Sequence, residues 1–210
     1  MTIAAAQTRA RQSAVRRQGY DWVASLPLPA KVVLAVGMAG VTGLAAQLRF
    51  PLPGTPVPFT MQVSVVLLTG LLLWGAWGGL SQAVYVAAGL AGVPWFQNGT
   101  GGLAVARGVT MGYLVGFVVA AWLIGDVLHR CRGRMGFVRL LALMTMGVVV
   151  IWLFGAFHIG AVLGRGVGAA WWWGMKPFVG LDLAKAAMVA AIGGMLLTCR
   201  TTDEAAPGPA

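Results

Sequence analysis

Acidic side chains are scarce in this chain: five Asp and Glu stand against fifteen Lys and Arg. They are too scattered for paired acid–base chemistry, and neither a Gly-x-Ser-x-Gly elbow nor a His-Glu-x-x-His pair accompanies them, so an enzyme is the least supported class. A Gly-x-x-x-x-Gly-Lys-[Ser/Thr] phosphate loop is also missing, so any ATP-driven work has to be energised by another polypeptide. The two cysteines, Cys131 and Cys199, both fall on the side assigned below to the cytoplasm, which argues against a disulfide framework. His158 has no metal-ligand partner visible in the sequence and reads as a satisfied core histidine, so neither a metal nor a cofactor is expected. The net charge of +10 is no nucleic-acid footprint, because the basic residues cluster at the ends of apolar stretches with no stacking platform beside them. No cleavable signal peptide is expected: the N-terminal tail through Pro29 has no sustained apolar core and carries Arg9, Arg11, Arg16 and Arg17.

What the chain has in abundance is apolar length. Hydrophobic residues make up 59% of it, in runs long enough to cross a bilayer core of about 30 Å, which takes about 20 helical residues. The runs are continuous instead of alternating with period two, so helices satisfy the backbone and a barrel does not. The 31 glycines suit helices that pack closely through small residues. The reading is an all-α membrane protein, a bundle of six transmembrane helices over 30–49, 59–75, 77–93, 107–128, 137–162 and 178–198. A basic cytoplasmic tail (1–29) precedes the six-helix domain (30–199) and a short cytoplasmic tail (200–210) follows it. Tyr20, Trp22, Val23 and Leu26 give the first tail the option of lying on the membrane as an amphipathic helix.

Three segments between the spans are distinctive. Residues 50–58 carry Pro51, Pro53, Pro56 and Pro58, each lacking a backbone donor, and form an ordered loop or a re-entrant segment. Residues 93–102 set Gln97 and Asn98 among Trp95, Phe96 and several glycines. Residues 164–177 hold Trp171, Trp172 and Trp173, residues typical of the membrane–water interface. With the N-terminus inside, Arg9, Arg11, Arg16, Arg17, Lys31, Arg130, Arg132, Arg134, Arg139 and Arg200 are cytoplasmic, and only Arg49, Arg107, Arg165 and Lys176 are external. The positive-inside rule favours that arrangement, with both termini cytoplasmic. All three irregular segments then meet the outer end of the last span, as a ligand cavity at the extracellular side requires.

Asp182 and Lys185 lie three positions apart inside the otherwise uncharged stretch from Phe178 to Thr198. A charge deep in a bilayer costs about 2.5 to 3.5 kcal/mol even on lenient scales, so such residues face a partner, a cavity or a substrate. Three apart on a helix, they share a face. Two readings stand: the residues pair with each other, or they meet a polar ligand. Ala35, Ala39 and Gly43, four apart on the first span, let another backbone approach closely, either within the chain or in a second membrane protein.

Longer motifs add to this. They are 51–62 (PLPGTPVPFTMQ), 89–94 (GLAGVP), 112–117 (GYLVGF) and 177–185 (PFVGLDLAK). On these the chain resembles the BioY family, the biotin-specific substrate-binding S components of energy-coupling factor transporters, over nearly everything from Lys31 to Thr198. One departure is Gly108-Val109-Thr110-Met111-Gly112, where family members often have Gly-Pro-Thr-Gly-Gly. The resemblance implies six membrane helices and an outward biotin pocket capped by extracellular loops. It also implies an EcfT-type transmembrane coupling subunit, two ATP-binding cassette ATPases and a place in the bacterial inner membrane. Ala35 and Ala39 look like the small-residue motif that contacts the coupling subunit.

Biotin presents two ureido N–H donors, a carbonyl, an apolar thiophane ring and a carboxylate. Asp182 is suited to accept from the ureido group, with Asn98 completing that recognition. Lys185 or Arg107 would meet the carboxylate, Arg107 with bidentate geometry. Gln62 and Tyr113 are further polar candidates, and Trp95 and Phe96 would cover the ring. Competing readings stand beside these: Asn98 as a turn residue before glycine, Arg107 as a headgroup anchor, Gln62 as a helix-packing amide. In function the competitor is a stand-alone ion- or proton-coupled transporter of a small polar vitamin, with Asp182 titrating.

Overall fold

The computed structural model describes residues 22–131, 135–164 and 166–203, and the side chains of 22, 24, 167, 169 and 197–203 are left undescribed. Arg9, Arg11, Arg16, Arg17, Tyr20, Arg132, Arg134, Arg165 and the side chains of Cys199 and Arg200 therefore lie outside the described residues. Of the expected surface helix, the described residues include one turn, Trp22–Ser25.

Helix α1 (Leu28–Gln47) starts behind Pro27, with Pro29 in its first turn where a missing N–H costs nothing. It leads into a two-residue ladder, β1 (Arg49–Phe50) with β2 (Phe59–Thr60), antiparallel with Phe50 opposite Phe59. This ladder closes the proline-rich residues 51–58 into an ordered loop, one of the two forms expected of them. Helices α2 (Gln62–Leu73) and α3 (Ala76–Leu90) follow, joined across Trp74 and Gly75, both at positive φ. α4 (Met111–Arg130), α5 (Phe137–Val162), α6 (Val167–Gly174) and α7 (Val179–Asp203) complete the chain.

Six helices thus occupy the six expected stretches, and α6 is an additional short one. Among the described residues, four stretches are long and apolar enough to cross a membrane: Leu28–Gln47, Met111–Arg130, Phe137–Val162 and Ala170–Leu196. α2 and α3 are shorter than the expected 59–75 and 77–93, with 12 and 15 residues, or about 18 and 22 Å. Pro58 and the β ladder take the start of the first, and Gly92 (φ +114°) with Pro94 ends the second. α6 falls in the segment expected as a loop: the three tryptophans sit on a helix of eight residues, too short to show a period.

α4 is central, packing on α2, α3 and α5, while α5 also packs on α7 and α1 lies along α3 and α2. At Gly116 a Cβ would sit 2.9 Å from Ile151 Cα, so only glycine lets α4 and α5 approach so closely. The buried core between these helices includes Leu67, Tyr85, Ile124, Met144, Ile151 and Val189.

The small-residue stripe of α1 faces into the bundle. Ala35 and Ala39 are 2% and 0% exposed, and Ala35 O accepts a 2.8 Å hydrogen bond from Ser81 Oγ of α3. Their lack of bulk admits the chain's own α3, which is the within-chain reading of the stripe. The outward face of α1 instead carries Val32, Val33, Val36, Val41 and Leu44.

Candidate ligand-binding site

Where the proline-rich loop, residues 91–110 and the start of α7 converge, they enclose a cavity of about 260 Å³. Its wall is largely apolar, with Val57, Phe96, Leu114, Phe117, Ile151 and Phe178 among its residues. Its buried end is polar and its rim, with Gln97, Thr100 and Thr110, is partly open. A mainly apolar chamber with a few convergent polar groups is the usual form of a small-molecule site.

At the buried end Lys185 Nζ lies 2.7 Å from Asp182 Oδ1, and both side chains are about 95% buried. The ammonium makes a second 2.7 Å bond to Thr60 O and stands 3.7 Å above the centre of the Phe59 ring. Its three donors are thus engaged by a carboxylate, a carbonyl and a π face. The other carboxylate oxygen, Asp182 Oδ2, accepts a 2.9 Å bond from Trp152 Nε1 of α5. Each carboxylate oxygen has accepted one of the two hydrogen bonds it can take. The unused capacity of the pair is therefore acceptor capacity on Asp182, directed to a donor.

A second chain of bonds starts at the same residue of β2. Thr60 Oγ1 donates to Gln62 Oε1 (3.0 Å), Gln62 Nε2 donates to Tyr85 OH (2.9 Å), and Tyr85 OH donates to Trp95 O (3.4 Å). Tyr113, at the start of α4, lines the cavity and donates a 2.6 Å bond to Gly174 O.

Of the residues singled out from sequence, Asp182, Lys185, Gln62, Tyr113 and Phe96 all line this cavity. Trp95, Asn98 and Arg107 do not. Trp95 is half-buried behind the wall, its Nε1 donating to Tyr85 O at 3.0 Å. Asn98 is exposed in a 3-10 turn at φ +66°, a left-handed turn conformation that asparagine tolerates, so the competing turn reading describes its geometry. Arg107 is exposed at the end of a second 3-10 segment (Leu103–Arg107), next to Gly108 of the rim. His158 Nε2 is 3.0 Å from Gly108 O and so supports the rim from α5.

Trp152, Thr60, Tyr85 and Phe59 were not foreseen. The signal for Trp152 was present: an indole N–H within a 26-residue apolar helix needs an acceptor, and acidic acceptors are scarce in this chain. Thr60 contributes its backbone carbonyl, which no side-chain pattern reveals.

The model of the BioY family matches residues 15–200. This chain belongs to the BioY family. The match reaches sixteen residues further toward the N-terminus than the motifs from Lys31 onward indicated, so this BioY-family member shares part of its basic tail with the family model. A probable biotin transporter BioY of Pyrococcus horikoshii is 35% identical over 166 residues, 79% of this chain and 95% of the relative. The biotin transporter BioY of Thermotoga maritima is 36% identical over 141 residues, 67% and 81% of the two chains. A probable biotin transporter BioY of Methanothermobacter thermautotrophicus is 37% identical over 139 residues, 60% and 84%. In fold, the chain is similar to the S-component for biotin from an ECF-type ABC transporter, with a TM-score of 0.74, 22% identity and coverage of 82% of this chain and 94% of that one.

Proposed function

We propose that this BioY-family protein captures biotin from outside the cell as the substrate-binding membrane subunit of an energy-coupling factor transporter, and that partner ATPases energise its uptake. The observation that carries the reading is the spare acceptor capacity of Asp182 at the closed end of a largely apolar cavity. A ureido ring supplies two N–H donors to such a group, and the thiophane ring fits the apolar wall. The biotin-transporter relatives point to the same ligand. The valerate carboxylate then lies toward the rim, near Gln97, Thr100 and Thr110, with Arg107 exposed beside it.

The reading includes six membrane-crossing helices in an inner membrane, both termini cytoplasmic, with the cavity outward. The described cations support this orientation. Lys31, Arg130 and Arg139 stand at the helix ends away from the cavity, and Arg49, Arg107 and Lys176 at the cavity end. It also includes residues 30–199 as the ligand-binding domain between the tails 1–29 and 200–210. An EcfT-type coupling subunit and two ATP-binding cassette ATPases complete the assembly, and the apolar outward face of α1 is where the coupling subunit would dock.

Uptake of labelled biotin into proteoliposomes is the test. With coupling subunit and ATPases present, uptake is expected to require ATP and to persist with a protonophore. Uptake by this chain alone, abolished by a protonophore and indifferent to ATP, would favour the stand-alone transporter with Asp182 titrating.

Trp152 gives a milder prediction. Trp152→Phe keeps the ring bulk and removes the donor to Asp182 Oδ2, which frees the carboxylate to turn. A hydrogen bond to a charged group is worth about 1.5 to 3 kcal/mol, so biotin affinity should fall about tenfold or more, as equilibrium binding to the purified variant would report.

A further inference from the structure

The inward stripe of α1 continues beyond Ala35 and Ala39 to Gly43, and four residues further the same face ends in the exposed Gln47. At Gly43 a Cβ would meet Trp95 Cβ at 3.0 Å, so the glycine seats the segment that follows α3. Gln47, one turn later, holds that segment. Its Nε2 donates to Phe96 O (3.0 Å), Trp95 O (3.3 Å) and its own helix's Gly43 O (3.2 Å), two N–H bonds shared among three carbonyls. Its Oε1 accepts from Gly99 N at 3.1 Å.

The held segment is a strap. It turns at Gly92 and Gly102, both at positive φ. Its ends belong to α3: Val93 N donates to Ala88 O at 3.0 Å and Gly102 N to Gly89 O at 2.7 Å. Its middle carries Phe96, which is 2% exposed, lies edge-on to Tyr85 and forms part of the cavity wall. The Phe96 ring occupies the space where a side chain on Gly89 would be. Trp95 Nε1 ties the strap once more to α3, at Tyr85 O. Gln47 is thus the group on α1 that grips the backbone of a strap otherwise carried by α3, at the residue whose ring closes the cavity.

We propose that Gln47 is a positioning residue that keeps the Phe96 wall shut on the bound ligand and so sets how fast the ligand leaves. A shift of α1 against α3 pulls on Phe96 through this amide, so the ligand is released when the two helices part. The inference rests on the functional reading above only for the identity of the ligand.

The test uses the full-length purified chain, labelled biotin, and two variants. Gln47→Leu removes every bond from residue 47 to the strap. Gln47→Glu keeps an acceptor for Gly99 N but sets a carboxylate against the Trp95 and Phe96 carbonyls. Biotin dissociation is expected to accelerate about five- to tenfold in both. The association rate and the melting temperature of the ligand-free protein should stay at wild-type values, a split that a general folding defect would not produce. Hydrogen exchange at the Gly99 amide should rise in Gln47→Leu and stay protected in Gln47→Glu. Wild-type dissociation rates in both variants would overturn the inference, as would acceleration matched by a lowered melting temperature. Failure of the wild-type chain to bind biotin would instead overturn the functional reading, with Gly99 exchange still reporting on the clamp.

Discussion

Asp182→Asn is expected to lower biotin affinity at least a hundredfold. In the native site both carboxylate oxygens accept, Oδ1 from Lys185 and Oδ2 from Trp152, each with one lone pair to spare. An asparagine in the same place has one acceptor oxygen and two N–H donors. Whichever way the amide turns, its donors face either the Lys185 ammonium or the Trp152 indole, both of which are donors themselves. The ligand's N–H groups lose a charged acceptor at the same time. Hydrogen bonds to charged groups are worth about 1.5 to 3 kcal/mol each, and about 1.4 kcal/mol is a factor of ten, so two weakened contacts reach a hundredfold. Equilibrium binding of labelled biotin to the detergent-purified variant checks this.

The second large effect concerns stability. Asp182 and Lys185 are both about 95% buried, and removing one strands the other in a medium that cannot solvate it. Asp182→Leu and Lys185→Met should each cost about 3 to 5 kcal/mol of stability, with Lys185→Met also freeing Thr60 O. The double variant strands no charge and should recover much of that loss, so a double-mutant cycle in thermal unfolding is expected to show strong coupling. Additive single effects would mean that the two charges are not stabilised by each other. The double variant should nevertheless bind no biotin, because stability and recognition use different features of the pair: the first needs charge balance, the second a carboxylate.

Much of this was legible because a bilayer makes polarity conspicuous. Asp182 and Lys185 stood out as the charges within an apolar stretch, and their three-residue spacing already put them on one face. The two readings offered for them turn out to be compatible. The residues do pair, and the pair still exposes acceptor capacity to the cavity. Helix positions were legible for the same reason, since apolar length and prolines bound them. Partners across the fold were not. The spacing of Ala35 and Ala39 says that something comes close, and only the packed structure says that it is α3. Asn98 and Gln97 are adjacent in sequence, yet only Gln97 lines the cavity, because the turn at Asn98 carries its side chain out to solvent. Trp152 was hidden among the apolar residues of a long span, where a tryptophan reads as bulk until its N–H is asked for an acceptor.

The central claim is that Asp182 accepts hydrogen bonds from the ligand's ureido nitrogens at the closed end of the cavity. Competition binding to the wild-type chain tests it most directly, with unmodified biotin set against biotin methylated on the ureido nitrogens. The methylated compounds should compete at least a hundredfold more weakly, having lost their donors while keeping the thiophane ring and the carboxylate. Equal competition would contradict the account, since a ligand without donors would then satisfy a buried pair whose unused capacity is only for accepting.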